Sequence, residues 1–80
     1  MAKLTKRAQK DLDALPQALA SKAREIILRL DKEPALGKKL MGPLEGKRSV
    51  RLGRSHRMIY QLVEGDVVLL TIAARKDLYR

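Results

Sequence analysis

The sequence predicts an α+β fold, with two N-terminal helices packed on one face of a small antiparallel sheet. Three observations carry this expectation. Apolar spacing changes from a helical period before residue 34 to two-residue alternation after residue 47. Pro16 and Pro34 punctuate the helical part, and short Gly-containing separators divide the alternating part. Finally, 80 residues that are 45% hydrophobic and 34% charged suffice for one core, so residues 1–80 are read as a single domain.

Taken in chain order, Ala2 to Leu4 form a candidate short edge strand. Thr5 is a natural N-cap, because its hydroxyl can accept from an otherwise unpaired N–H of the first turn. Ala8, Leu12 and Leu15 follow at helical spacing on one stripe, and Pro16 closes that helix or opens the next. In the second helix Leu19, Ala23, Ile26 and Leu30 repeat on one face, Ala20 and Ile27 widen it, and Pro34 stops it. The two helices are expected to run antiparallel. Residues 35–46, ALGKKLMGPLEG, read as a connecting loop with Leu36, Leu40 and Leu44 as candidate anchors.

Three strands are expected next, Arg48 to Leu52, Arg57 to Val63 and Val67 to Ala73. The separators around Gly53 and Gly65 are short enough for an antiparallel meander. Because successive strand side chains point to opposite faces, even positions should pack on the helices: Val50, Leu52, Met58, Tyr60, Leu62, Val68, Leu70 and Ile72. Odd positions should form the outer face, with Ser49, Arg51, Arg57, Ile59, Gln61, Val63, Val67, Leu69, Thr71 and Ala73, and with Arg75 continuing the series unless a bulge intervenes.

Composition removes whole function classes. The chain has no Cys and one His, His56, so it offers no disulfide framework, thiol nucleophile or multi-histidine metal site, and no metal or cofactor is expected. No apolar run approaches the roughly 18 residues of a membrane span, and MAKLTKRAQK lacks the apolar core of a secretory signal, so a cytoplasmic protein without membrane contact is expected. Tyr60 and Tyr79 are the only aromatics, which argues against folds that stack bases on several exposed rings. The 18 Lys and Arg against 9 Asp and Glu give a formal net charge of +9, which leaves three kinds of acidic partner, nucleic acid, a membrane surface or an acidic protein, and composition alone does not choose among them.

That charge is densest over residues 47–57, where Lys47, Arg48, Arg51, Arg54, His56 and Arg57 occur with no acid among them. Two readings stay open from the residues alone: a solvated face that keeps a small protein soluble, and a phosphate-binding sheet. Arginine favours the second, because its planar fork grips phosphate bidentately and rigid strands can hold several forks in register. Tyr60 has core parity, Tyr79 fits an end anchor or a functional group, and Glu45 fits a solvated loop acid. Apolar Ile59, Val63 and Leu69 beside arginines on the outer face suggest a surface that an acidic partner chain covers.

An ordered set of residues then becomes familiar. Ala8, Asp11, Leu12 and Leu15 form Ala-x-x-Asp-Leu-x-x-Leu; Lys39-Leu40-x-Gly42 follows; then come Arg51-Leu52-Gly53-x-x-His56-Arg57-Met58-Ile59-Tyr60 and the closing Arg75-Lys76-Asp77-Leu78-Tyr79. Together they resemble the RelE/ParE toxins of type II toxin-antitoxin systems over nearly the whole chain. The resemblance implies a RelE-like fold, a cognate antitoxin wrapped over the sheet in an assembly such as a heterotetramer, and, in the RelE-like branch, an mRNA interferase. Such an endoribonuclease acts on mRNA in the ribosome and inhibits translation.

In that branch the chemistry is metal-free. A base removes the ribose 2′-OH proton, the oxygen attacks the adjacent phosphate, cations stabilise the charged intermediate, and an acid protonates the leaving 5′-oxygen. By resemblance, Arg51 matches a basic residue of the active strand and Arg57 a phosphate-binding arginine. Arg75 matches an acid or charge stabiliser, and Tyr79 a terminal tyrosine that orients the substrate. Lys47, Arg48, Arg54 and His56 are candidate nucleic-acid contacts. The base is the departure: Ser49 stands where RelE-like nucleases commonly carry a second lysine, and Ala74 where other branches carry a histidine. Lys47 and His56 are its candidate substitutes. These departures keep open a ParE-like DNA gyrase poison and a catalytically degenerate RNA- or antitoxin-binding module.

Overall fold

The computed structural model describes residues 2–42 and 45–74. Its elements are β1 (Lys3–Leu4), α1 (Lys6–Ala14), α2 (Gln17–Lys32), β2 (Lys38–Lys39), β3 (Arg48–Leu52), β4 (His56–Val63) and β5 (Asp66–Ala74). The strands make one sheet in the order β1-β5-β4-β3-β2. The meander β3-β4-β5 is antiparallel, as the short separators require. The complete sheet is mixed, because β1 returns alongside β5 in parallel. β2 lies within the stretch read from sequence as a loop and pairs antiparallel with β3.

Thr5 does more than cap. Its Oγ1 accepts from the Ala8 N–H at 3.1 Å and donates to the Leu70 carbonyl at 2.9 Å, while its own N–H donates to the Leu69 carbonyl at 3.0 Å. One residue therefore starts α1 and ties that start to the middle of β5. α1 buries Ala8 and Leu12, and α2, entered through Pro16, buries Ala20, Ala23 and Leu30. α2 ends as expected ahead of Pro34, with the Glu33 N–H donating to the Arg29 carbonyl at 2.8 Å.

The buried core joins these helix residues to Leu52, Met58, Tyr60 and Ile72. In β5 the expected faces are reversed before Ile72. Ile59 pairs with Thr71 but Tyr60 pairs with Leu69, so Leu70 is an extra residue, a β-bulge. One inserted residue exchanges the faces of everything on its far side. Val67 and Leu69 are thus 3% and 1% exposed in the core, where Val68 and Leu70 were expected and are only half-buried. Leu62, also expected in the core, is 40% exposed near the β4–β5 turn. That turn holds Glu64 at φ 51° and Gly65 at φ 86°; two successive left-handed residues are what a two-residue hairpin with right-handed strand twist needs.

Two polar side chains fasten the periphery. β1 pairs only with Val68 and Leu69, and farther along β5 the Asp11 carboxylate accepts from the Ile72 N–H at 3.1 Å and the Thr71 hydroxyl at 2.7 Å. A helix side chain there replaces the missing strand. Tyr60, with its ring fully buried, donates its hydroxyl proton to the Pro34 carbonyl at 2.8 Å and accepts from the Gly37 N–H at 2.7 Å. Gly37 lies so close that a Cβ there would stand 2.6 Å from the Tyr60 ring.

Tyr60→Phe is accordingly expected to cost about 1–3 kcal/mol, because it leaves a buried N–H without its acceptor. Gly37→Ala is expected to destabilise as well, by driving a methyl group into that ring. Urea unfolding of both variants, with the denaturant slope unchanged, checks this pair. Among the described residues no helix is long and apolar enough to cross a membrane.

Candidate functional site

The face of the sheet turned away from the helix-packed core is organised by register. Arg51 lies directly opposite Arg57, and Arg57 opposite Ala73. Two residues along, Ser49 lies opposite Ile59, and on its other side opposite Lys38. Directly opposed residues of antiparallel strands share a face, with Cβ atoms about 4.5–5.5 Å apart. Lys38, Arg51 and Arg57 therefore stand on one face, over a floor of Ser49 and Ile59, which are 3% and 4% exposed. The floor corrects the expectation of an exposed Ile59. Val63 is exposed, as expected, and Leu69 belongs to the core.

Arg57 is half-buried, and its Nη1 donates to the Ser49 hydroxyl at 3.4 Å. Arg51 is exposed. Like charges directly opposed across two strands repel, and neither β3 nor β4 contains an acid. An anion set between the two forks turns that repulsion into two charge-assisted contacts. A phosphodiester suits planar guanidinium forks, and so does a carboxylate of a covering chain. Arg57, with a paired strand on either side, needs little backbone reorganisation as negative charge develops.

The other basic residues of residues 47–57 are distributed differently. Arg48 lies opposite Tyr60 on the helix side, and its Nη1 donates to the Gly37 carbonyl at 2.9 Å and the Ala35 carbonyl at 3.5 Å. It holds the segment after α2 against the sheet. His56 pairs with Leu52 and Ala74, on the face opposite to Arg57, with Nδ1 2.7 Å from the Ser55 hydroxyl. Arg54 is exposed in the β3–β4 turn. Lys47 precedes β3, where its carbonyl accepts from the Leu40 N–H at 3.0 Å. Arg75 and Tyr79 lie outside the described residues.

Sequence reasoning missed Lys38, because a two-residue strand between Gly37 and Leu40 leaves no alternation to read. A hollow of about 630 Å³ opens near the same edge, lined by Lys39, Lys47, Arg48 and the acid Glu45 together with apolar Met41 and Leu62. Neither Arg51 nor Arg57 lines it. Among the described residues, no three His, Cys, Asp or Glu side chains cluster as a set of metal ligands.

Comparison with known proteins agrees with this architecture. The family described as ParE toxin of type II toxin-antitoxin system, parDE, matches residues 2–79. The RelBE2 toxin-antitoxin complex of Mycobacterium tuberculosis is similar at 30% identity, covering 94% of this chain and 96% of that one, with a TM-score of 0.83. A YoeB/ParE toxin from Agrobacterium tumefaciens shares the fold at 17% identity, with 92% and 96% covered and a TM-score of 0.83. The YoeB–YefM complex of Staphylococcus aureus shares it at 20% identity, with 90% and 92% covered and a TM-score of 0.78. No curated protein matches the sequence.

Proposed function

The chain belongs to the ParE toxin family of type II toxin-antitoxin systems, and we propose that within it this toxin is a metal-free, ribosome-dependent mRNA endoribonuclease that inhibits translation. As a toxin of the RelE/YoeB/ParE fold it has a cognate antitoxin as partner, and several similar structures are toxin-antitoxin complexes, one of them heterotetrameric. The ribonuclease reading goes further. The observation that carries it is the opposed pair Arg51 and Arg57 on the sheet face away from the helices, on strands β3 and β4 that hold no acid.

On this reading RNA lies across β3 and β4 with the scissile phosphate between the two guanidinium forks. The ribose 2′-oxygen, losing its proton to a base, bonds to phosphorus. The bond from phosphorus to the 5′-oxygen breaks, and that oxygen takes up a proton. The products carry a 2′,3′-cyclic phosphate and a 5′-hydroxyl. Arg51 and Arg57 stabilise the added negative charge, and the closing Arg75 and Tyr79 serve as charge stabiliser or acid and as substrate support. Lys47 and Arg54, at the two ends of β3, lengthen the basic track along the strand. Arg48 and His56, on the other face, act on RNA at most indirectly, Arg48 through the loop it holds. The antitoxin inhibits by setting carboxylates against the same arginines, occupying the face and cancelling its charge.

The name of the matched family favours a second reading, a gyrase poison that needs no ribonuclease site. Incubating the purified protein with mRNA-programmed ribosomes, and in parallel with gyrase and plasmid DNA, separates the two. The ribonuclease reading predicts cut mRNA and unaltered supercoiling. Intact mRNA with cleaved or trapped plasmid supports the gyrase reading instead.

A further inference from the structure

We propose that Lys38 is a third phosphate-binding cation of the face that carries Arg51 and Arg57, taking an RNA phosphate next to the one those arginines hold. This inference rests on the ribonuclease reading above. Lys38 lies directly opposite Ser49, one step outward on β2, while Arg51 is two residues along the same face of β3. That makes Lys38 and Arg51 diagonal neighbours, about 7–8 Å apart at the backbone, a separation that the long lysine stem adjusts. Its directly opposed neighbour on that face, Ser49, is uncharged, and no acid stands on β2, β3 or β4 to compete for the ammonium group.

The segment that carries Lys38 is unusually well fixed for an edge. Gly37 is buried, its N–H is taken by the Tyr60 hydroxyl at 2.7 Å and its carbonyl by Arg48 at 2.9 Å, and the Leu40 N–H donates to the Lys47 carbonyl at 3.0 Å. Lys38 is thus an exposed cation on an anchored backbone, which fits recognition better than mere solubility. Lys39 supplies the internal comparison. It has the same charge and exposure, but it lies opposite Arg48 and so points to the other face.

The test measures single-turnover cleavage of mRNA on programmed ribosomes as the toxin is titrated. Lys38→Ala is expected to lower the apparent second-order rate about tenfold, the scale of one lost charge-assisted contact. Lys38→Arg should restore most of that loss, and Lys39→Ala should stay near the wild type. Unfolding midpoints of all three should match the wild type, since both lysines are exposed. Equal rates for Lys38→Ala and Lys39→Ala, whether both normal or both reduced, overturn the assignment and leave the ribonuclease reading standing. A wild type that cuts no mRNA removes the ribonuclease reading itself, and the role of Lys38 with it.

Discussion

Arg57→Ala is expected to lower mRNA cleavage about 10²- to 10³-fold, the usual consequence of removing one preorganised charge-stabilising group, roughly 2.7–4 kcal/mol of transition-state stabilisation. Arg57 is the better placed of the two opposed arginines. It stands on the central strand β4 between β3 and β5, half-buried, with Nη1 3.4 Å from the Ser49 hydroxyl, so its side chain has less freedom to lose than that of the exposed Arg51. Arg57→Lys should recover only part of the activity, because a point charge replaces a bidentate fork. Arg75→Ala should match Arg57→Ala in size, an expectation that rests on the closing motif. The rates are to be read at saturating ribosome concentration, with circular dichroism confirming that each variant folds. Unchanged cleavage in the Arg57 variant removes this residue from the chemistry.

The largest effect on stability is expected at Leu69. It is 1% exposed in the core, so Leu69→Ala should cost about 2–5 kcal/mol, a large share of the roughly 5–15 kcal/mol that holds an ordinary domain together. Leu70→Ala, at the half-buried bulge, should cost clearly less. Uninterrupted alternation from Ile72 predicts the opposite order. Equilibrium urea unfolding of the two variants therefore tests the bulge directly, and a more damaging Leu70→Ala contradicts the observed register.

The bulge also marks where the sequence stopped being readable. The stripe Ala8, Leu12 and the face Leu19, Ala23, Ile26, Leu30 gave both helices, and Thr5 and the two prolines gave their ends, because those signals are local. β3 and β4 followed from alternation. The bulge at Leu70 has no local signature; it is fixed by tertiary bonds, the Thr5 hydroxyl to the Leu70 carbonyl and the Thr5 N–H to the Leu69 carbonyl, across 65 positions for the first of them. Parity alone could not foresee it.

The site divides in the same way. Arg51 and Arg57 share a face because their strands are adjacent and regular, which parity foresaw. Lys38 reaches that face through a two-residue strand whose position depends on Tyr60, Gly37 and Arg48 meeting in space. Arg48 itself shows that a cation in a basic run can serve the backbone. Charge density located the region, whereas only register sorted its members between the two faces. Asp11 belonged to the recognised motif with no role attached. Its bonds to Thr71 and Ile72 make it the clasp of the stretch of β5 that β1 does not reach.

The most direct measurement is to express the protein inducibly and map the 5′ ends of mRNA on ribosomes, together with their chemical form. Attack by the 2′-oxygen between opposed arginines predicts new ends at a fixed position relative to the codon, each bearing a 5′-hydroxyl and lost in the Arg57→Ala variant. Intact mRNA, accompanied by gyrase trapped on DNA, contradicts the account and assigns the arginine-bearing face to another target.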